Sequence, residues 1–217
     1  MLVRYYDTEK YPFISEIKKA FGISDLHYLH VERSDLMPGC DLTFENESTT
    51  NFHKTYYAKQ NSGWPELEST YKEFVRNVVI PIVGEDCVYQ YMPSVRFHLP
   101  GQKAIHKWHY DSDNDHRHPD GEINFQIAIT EMNEINATWC ESYPGAGDYR
   151  PMVMLPGQFL QFNGNKCVHG NKSNTSGKTR VSLDFRVTPR TVYNQNAGNI
   201  SVSSGKKFVI GEYYREP

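Results

Sequence analysis

From about residue 87 onward the sequence stops repeating with a helical period and alternates, in short runs separated by Gly, Pro and Asn, almost to its end. The runs are Val88–Met92, Val95–Leu99, Ile123–Thr130, Thr138–Ser142, Met152–Leu155, Gln158–Phe162, Arg180–Val187 and Lys207–Gly211. Eight or so short strands with turn residues between them predict a jelly roll or a related closed sandwich, since antiparallel strands of this length need a partner sheet to cover them. In Ile123–Thr130 the residues Ile123, Phe125, Ile127 and Ile129 fall on one side, with Asn124, Gln126 and Thr130 on the other. Arg180–Val187 divides the same way, with Arg180, Ser182, Asp184 and Arg186 together. Such strands have a dry face and a wet one. We expect the dry face to pack under helices and the wet face to line a barrel mouth.

The helices precede the strands. Residues 11–22 carry Phe13, Ile17, Ala20 and Phe21 on one stripe, Lys18 and Lys19 in the last turn, and Gly22 as a left-handed cap. A second helix is expected from Pro65 to about Val79, with Leu67, Tyr71, Phe74, Val75 and Val78 on one side and Pro81 as its stop. This helix-first layout fits helices buttressing one sheet. The 217 residues contain no linker and no repeat, so a single domain is expected: 1–86 as a helical part, 87–190 as the jelly-roll core and 191–217 as an extension.

Bulk chemistry narrows the partners. With a net charge of −3 and dispersed Lys and Arg, the chain has no footprint for nucleic acid or an anionic membrane, which leaves a small soluble molecule as the expected partner. Cys40, Cys87, Cys140 and Cys167 lack zinc-type spacing, and the first residues lack a signal-peptide core, so a reducing cytoplasm is expected. The Asn-x-Ser/Thr triplets at Asn46, Asn136, Asn171, Asn174 and Asn199 are then incidental. No apolar stretch approaches the length of a membrane span.

Within this frame His109 and Asp111 stand two apart and share a side in extended backbone, and His169 follows sixty positions later, after a turn-rich segment. Two neutral imidazoles and one carboxylate can cap one face of an octahedral ferrous ion and leave the other face open. A bidentate 2-oxo acid and dioxygen would occupy that open face. The distal carboxylate of such a co-substrate needs a cation and a hydroxyl, and Arg180 and Ser182 stand 11 and 13 positions after His169 on one strand face.

His109-x-Asp111, His169 and Arg180-x-Ser182 together resemble the iron(II)/2-oxoglutarate-dependent dioxygenases, whose fold is a double-stranded β-helix, a cupin-like jelly roll. The blocks HPDGEINF from His118, WCESYPGAGD from Trp139, FNGNKC from Phe162 and TRVSLDFRV from Thr179 are similar to the streptomycin-biosynthesis type of oxygenase. The similarity spans roughly residues 88–190 and, more weakly, the tail around Gly211–Tyr214. It implies that His109, Asp111 and His169 bind Fe(II) and that Arg180 and Ser182 bind 2-oxoglutarate, with Asn124 and Arg96 as further polar contacts. It also implies O2 as the oxidant and hydroxylation of a small polar metabolite, of amino-acid, aminocyclitol or sugar type, with release of succinate and CO2. Asp111 points to hydroxylation, because related halogenases replace that carboxylate with a small residue.

Asp113, Gln126, Trp139, Glu141 and Arg186 are the candidate substrate contacts, each with a plain alternative in a loop cap, a core aromatic or a matched charge. His116 and His118 sit in a strongly polar segment that reads as a loop, and His106 precedes the ligand pair; none is assigned to metal. His98 is expected to be a hydrogen-bonded structural residue. Two other readings stay open: a cupin-type metalloenzyme that does not use 2-oxoglutarate, and a non-catalytic sugar-binding jelly-roll module. The first gives Arg180-x-Ser182 no purpose.

Overall fold

The structure, a computed structural model, describes residues 1–39, 49–102, 107–196 and 198–217; Cys40, Asn46 and His106 lie outside the described residues. It is built mainly of antiparallel β-sheet, with helices concentrated in the first 83 residues. A larger sheet runs in the order β1 (Leu2–Tyr5), β7 (Gln158–Phe162), β4 (Ile123–Ala128), β9 (Arg180–Pro189), β2 (Cys87–Gln90) and β10 (Tyr214–Arg215), and β3 (Ser94–His98) also pairs with β9. A smaller sheet joins β6 (Arg150–Pro151), β5 (Thr138–Cys140) and β8 (His169–Asn171).

Strand β9 is the longest, and every one of its residues is buried. It meets β4 along one edge, from Ile123 opposite Val187 to Ala128 opposite Ser182, and β3 and β2 along the other. Its period-2 alternation sorts Val181, Leu183, Phe185 and Val187 onto one face and Arg180, Ser182, Asp184 and Arg186 onto the other. The apolar face joins Phe125, Ile127, Phe97 and Phe159 in one core with the helices. The polar face is buried as well, with Asn124 and Gln126 each 3% exposed, so its groups point into the protein and must find partners there.

Helix α1 (Phe13–Phe21) buries Phe13, Ile17 and Phe21 and ends at Gly22, whose φ of 65° is the left-handed conformation that glycine adopts without a Cβ clash. The short α2 (Leu29–Glu32) follows a single 3₁₀ turn and buries Leu29. Helix α3 (Asn51–Asn61) buries Phe52, His53 and Tyr56. Its stripe is thin and mixed with polar residues, which is why periodicity misses it. In α4 (Pro65–Phe74), Leu67, Tyr71 and Phe74 face the sheet, and the Tyr71 hydroxyl donates to the Gln90 carbonyl at 2.9 Å.

Pro81 does not stop this helix. A π turn over Val75–Val79 leads into α5 (Ile80–Val83), and Gly84 at φ 86° ends the run. The π turn restarts the hydrogen-bond register at Ile80, whose N–H reaches the Val75 carbonyl, so Pro81 falls in a first turn where its missing N–H costs little.

Two other expectations change. Lys207–Gly211 is not a strand: Lys207 and Ile210 make only isolated bridges, and the tail pairs with β2 through Tyr214 and Arg215. Met152–Leu155 contributes only the Met154 bridge to Met132, while the paired residues are Arg150 and Pro151. Strand β1, too short and charged to register as a period, is added at the sheet edge against β7.

Phe74 joins the helices to the sheet, touching Tyr6, Tyr11, Phe13, Phe159 and Phe185 edge-on at centroid distances of 5.2 to 6.4 Å. Phe74→Ala is expected to cost about 3–5 kcal/mol, read as a lower urea midpoint at unchanged m-value.

Candidate metal centre

The segment carrying His109 and Asp111 has no regular strand of its own, yet it is held extended against the chain on either side of His169. His109 and His169 exchange backbone hydrogen bonds at 3.0 and 2.8 Å, the Asp111 N–H donates to the Gly164 carbonyl at 2.8 Å, and the Ser112 N–H to that of Asn165. Gly164 is required by closeness: a Cβ there would lie 2.7 Å from the Phe162 ring and 2.8 Å from the Asn124 amide. Gly170 is likewise covered, since a Cβ would meet the Trp108 indole at 2.8 Å.

This pairing brings His109, Asp111 and His169 together, with their ligand atoms all within 4.8 Å of one another. Asp111 Oδ1 lies 3.5 Å from His109 Nε2 and 3.7 Å from His169 Nε2. The ring orientations are set from behind. His109 Nδ1 lies 2.7 Å from the Lys107 carbonyl and His169 Nδ1 3.1 Å from that of Cys167. A carbonyl only accepts, so both protons sit on Nδ1 and both Nε2 atoms present lone pairs. Three potential lone-pair donors therefore face one another. That arrangement suits a divalent cation, and two imidazoles with one carboxylate suit ferrous iron.

Asp111 is 1% exposed, and its two oxygens have different duties. Oδ2 accepts from Asn124 Nδ2 at 2.6 Å and Arg186 Nε at 2.8 Å, which leaves Oδ1 turned toward the imidazoles. Burial by itself would raise the Asp111 pKa, but Arg186 and the neighbouring His109, His169 and His118 hold it well below the usual carboxylate range. Burial, with the nearby His109 and Arg186 charges, takes the His169 imidazole down to about 4 against the opposing pull of Asp111. At neutral pH Asp111 is therefore a carboxylate and His169 a neutral ring, the forms in which each binds a metal.

Arg186, expected as a substrate contact, is instead committed to Asp111, and Asn124, expected beside the co-substrate, spends its amide N–H on the same oxygen. Asn124 Oδ1 and Gln126 Oε1 remain buried without a partner. Arg96, the other expected polar contact, is held in a bidentate pair with Asp184 at 2.9 and 3.1 Å. Arg180 is fully buried; its Nε donates to the Asn136 carbonyl at 3.1 Å and one terminal nitrogen to Ser182 Oγ at 2.9 Å. The other terminal nitrogen has no partner. Burial, aided by the Arg96 charge, lowers its pKa to about 9, the mark of a cation lacking its counter-ion.

Three candidate substrate contacts serve other ends. Asp113 Oδ1 accepts from the Asp115 and His116 N–H groups and from the His116 ring, capping its own loop. Glu141 accepts from the N–H groups of Gly145, Gly147 and Val168, tying the Pro-Gly-Ala-Gly turn to β8. Trp139 is covered by Lys172, whose Nζ sits 3.2 Å from the ring centroid. Gln126 lines the small recess between His169 and Arg96, with its Nε2 3.3 Å from the Thr138 hydroxyl.

Three neighbours escaped sequence reasoning. His116 stacks on His109 at 3.9 Å with planes 17° apart, so it buttresses the ligand ring face to face. His118 Nδ1 lies 2.7 Å from Glu122, which also receives the Tyr214 hydroxyl. The buried Glu122 had a signal, an acid at the start of a strand, but nothing local distinguishes it from a surface carboxylate. His98 is fully buried beside the Asn136 carbonyl, as expected of a structural residue.

No family model matches the chain. Over 210 residues, 96% of this chain and 94% of the relative, it is 30% identical to the streptomycin biosynthesis protein StrG of Streptomyces griseus. The chain belongs to the StrG family. Among solved structures, the StrG-family chain aligns with AviO1 from Streptomyces viridochromogenes Tue57 at TM-score 0.48 and 14% identity, over 88% of this chain and 89% of that one. It also aligns with SnoK, the non-heme alpha ketoglutarate dependent carbocyclase of nogalamycin biosynthesis, at TM-score 0.40 and 13% identity, over 52% and 53% of the two chains.

Arg186→Met leaves Asp111 held by Asn124 alone, and metal affinity should fall about 10–100-fold by calorimetric titration while the far-ultraviolet spectrum is kept. Acid should destabilise the metal-free protein early. Burial lowers His53 and His98 to about 3, so between the unfolded value of 6.5 and that figure the unfolded chain binds more protons. Stability is complete above that window and falls as pH drops through it, on the order of 1–2 kcal/mol per imidazole by pH 5. Urea midpoints measured from pH 7.5 to 5 check this.

Proposed function

We propose that this protein is an Fe(II)- and 2-oxoglutarate-dependent oxygenase that hydroxylates a small polar metabolite, with release of succinate and CO2. The observation that carries the reading is the division of labour at Asp111: one oxygen is locked by Asn124 and Arg186, and the other faces two imidazole lone pairs. His109, Asp111 and His169 would hold the iron, which supplies activation of O2 at the expense of the 2-oxo acid.

The chain's own residues position the reactants and exclude water. Arg180 presents a buried guanidinium arm that lacks a partner, beside the Ser182 hydroxyl, and the distal carboxylate of 2-oxoglutarate offers the charge and geometry both need. Asn124 Oδ1 and Gln126 Oε1, also unpartnered, accept hydrogen bonds in the same interior. Asn124 and Arg186 keep the Asp111 carboxylate oriented, and His116 keeps the His109 ring from rotating. The apolar face of β9 under the helices keeps the strand, and so the spacing of Arg180 from Arg186, rigid.

Two antiparallel sheets fit a double-stranded β-helix as the finer description of the fold. A core that joins residues from Tyr6 to Val187 fits a single domain. Among the described residues no helix is long and apolar enough to cross a membrane. Cys87, Cys140 and Cys167 are free thiols, and the location proposed is a reducing cytoplasm. The StrG relative's role in streptomycin biosynthesis supports a biosynthetic metabolite as substrate.

Under anaerobic conditions, ferrous ion plus 2-oxoglutarate should give the weak visible charge-transfer band of a chelated complex, absent in Asp111→Ala. Arg180→Met should keep metal affinity but weaken 2-oxoglutarate about 100-fold, since a buried charged pair is lost. A folded native protein that binds iron and shows neither the band nor oxygen-dependent succinate release would refute the assignment.

A further inference from the structure

A cavity of about 630 Å³ opens onto His109 and Asp111, walled by α3, the turn between β2 and β3, and the C-terminal segment. It is large enough for a monosaccharide-sized molecule. Its charge is one-sided. Among the described lining residues Asp111 is the sole carboxylate, and its charge is paired with Arg186. Arg96 is matched by Asp184, His116 by Asp113 and His118 by Glu122.

What remains is Lys54 from α3 and Lys206 from the C-terminal segment, neither of which makes an ion pair among the described residues. Lys206 is half-buried, its Nζ resting 4.5 Å from the centroid of the Tyr91 ring that also lines the cavity. His53 supplies a second and independent sign. It is 1% exposed, its Nδ1 lies 2.8 Å from the Thr50 hydroxyl, and its Nε2 is buried with no partner although the residue lines the cavity. The Thr50 hydroxyl occupies Nδ1, so Nε2 is the ring nitrogen left for a ligand, and in its Nε2–H tautomer it donates to an oxygen. Two cations with no ion pair among the described residues, and a buried ring nitrogen without a partner, all lining one cavity, suit an oxyanion.

We propose that His53, Lys54 and Lys206 form an oxyanion subsite of this cavity, and that the substrate is a polar metabolite carrying a phosphate or a carboxylate group. The subsite anchors that group while Tyr57, Tyr91 and Tyr213 flank the body of the molecule and leave its oxidisable carbon toward the metal centre. The substrate class rests on reading His109, Asp111 and His169 as the reacting centre; the subsite itself does not.

The test uses the full-length, metal-free protein. Lysine Nζ and histidine ring resonances are followed by NMR during titration with inorganic phosphate and, separately, with acetate at constant ionic strength. Lys54 and Lys206 are assigned from single Gln substitutions. Saturable shifts of both lysines together with the His53 Nε2 signal are expected, and the anion that saturates at lower concentration identifies the substrate's charged group. Lys54→Gln with Lys206→Gln should weaken that binding about ten-fold or more while the thermal midpoint stays put. Linear, non-saturating shifts with both anions, or unchanged affinity in the double variant, would overturn the subsite. Because no iron is present, that failure is separate from an absent charge-transfer band, which would count against the oxygenase reading alone.

Discussion

A carboxylate buried at 1% exposure cannot stay ionised without compensation, and the way Asp111 is compensated organises the centre of this protein. Arg186 and Asn124 bind only one of its oxygens, so the charge is stabilised without being used up. The remaining oxygen is left where two imidazole lone pairs converge. A fully satisfied carboxylate would be a structural ion pair; a half-satisfied one is a ligand. Arg186 in turn comes from β9, whose opposite face is packed beneath α1, α3 and α4, so the helical core determines how firmly the ligand is aimed.

Strand β9 therefore carries two interiors. Its odd-numbered residues, Val181 to Val187, belong to the aromatic core around Phe74. Its even-numbered residues form a buried polar row in which Asp184 matches Arg96, Arg186 matches Asp111, and Arg180 keeps a buried donor without a partner among the described residues. Buried charges are tolerated when paired, and the one imperfectly paired member is where a ligand's charge is missing. The same reasoning applies at the cavity mouth, where Lys54 and Lys206 make no ion pair among the described residues.

Much of this was legible in the residues. The alternation of Arg180–Val187 and Ile123–Thr130 placed both strands and sorted their faces, because a period of 2 is imposed by the pleat itself. Gln158–Phe162 and the Gly22 cap were equally readable from local pattern. The helix over Asn51–Asn61 was not, since tertiary packing of Phe52 and Tyr56 replaces a strong stripe; nor was passage through Pro81, which depends on a π turn with no sequence signature. The spacing of His109, Asp111 and His169 picked out three side chains that do converge. The same reading left Arg186, Asp113 and Glu141 as candidate substrate contacts beside plain structural alternatives, because a charge looks alike in sequence whether its partner is a ligand or a neighbouring loop.

By itself the sequence determined the strand periodicity, the polar and apolar faces, and the identity of donor atoms suited to a metal and a keto acid; these depend on residue type and near-neighbour spacing. The tertiary structure alone decided which charges cancel. Arg186 lies 75 positions from Asp111 and Arg96 lies 88 from Asp184, and pairs so distant are chosen by sheet register and loop return, which no local pattern encodes. It is this cancellation that separates structural arginines from the one with an arm to spare, and leaves two lysines and a buried imidazole facing an open cavity.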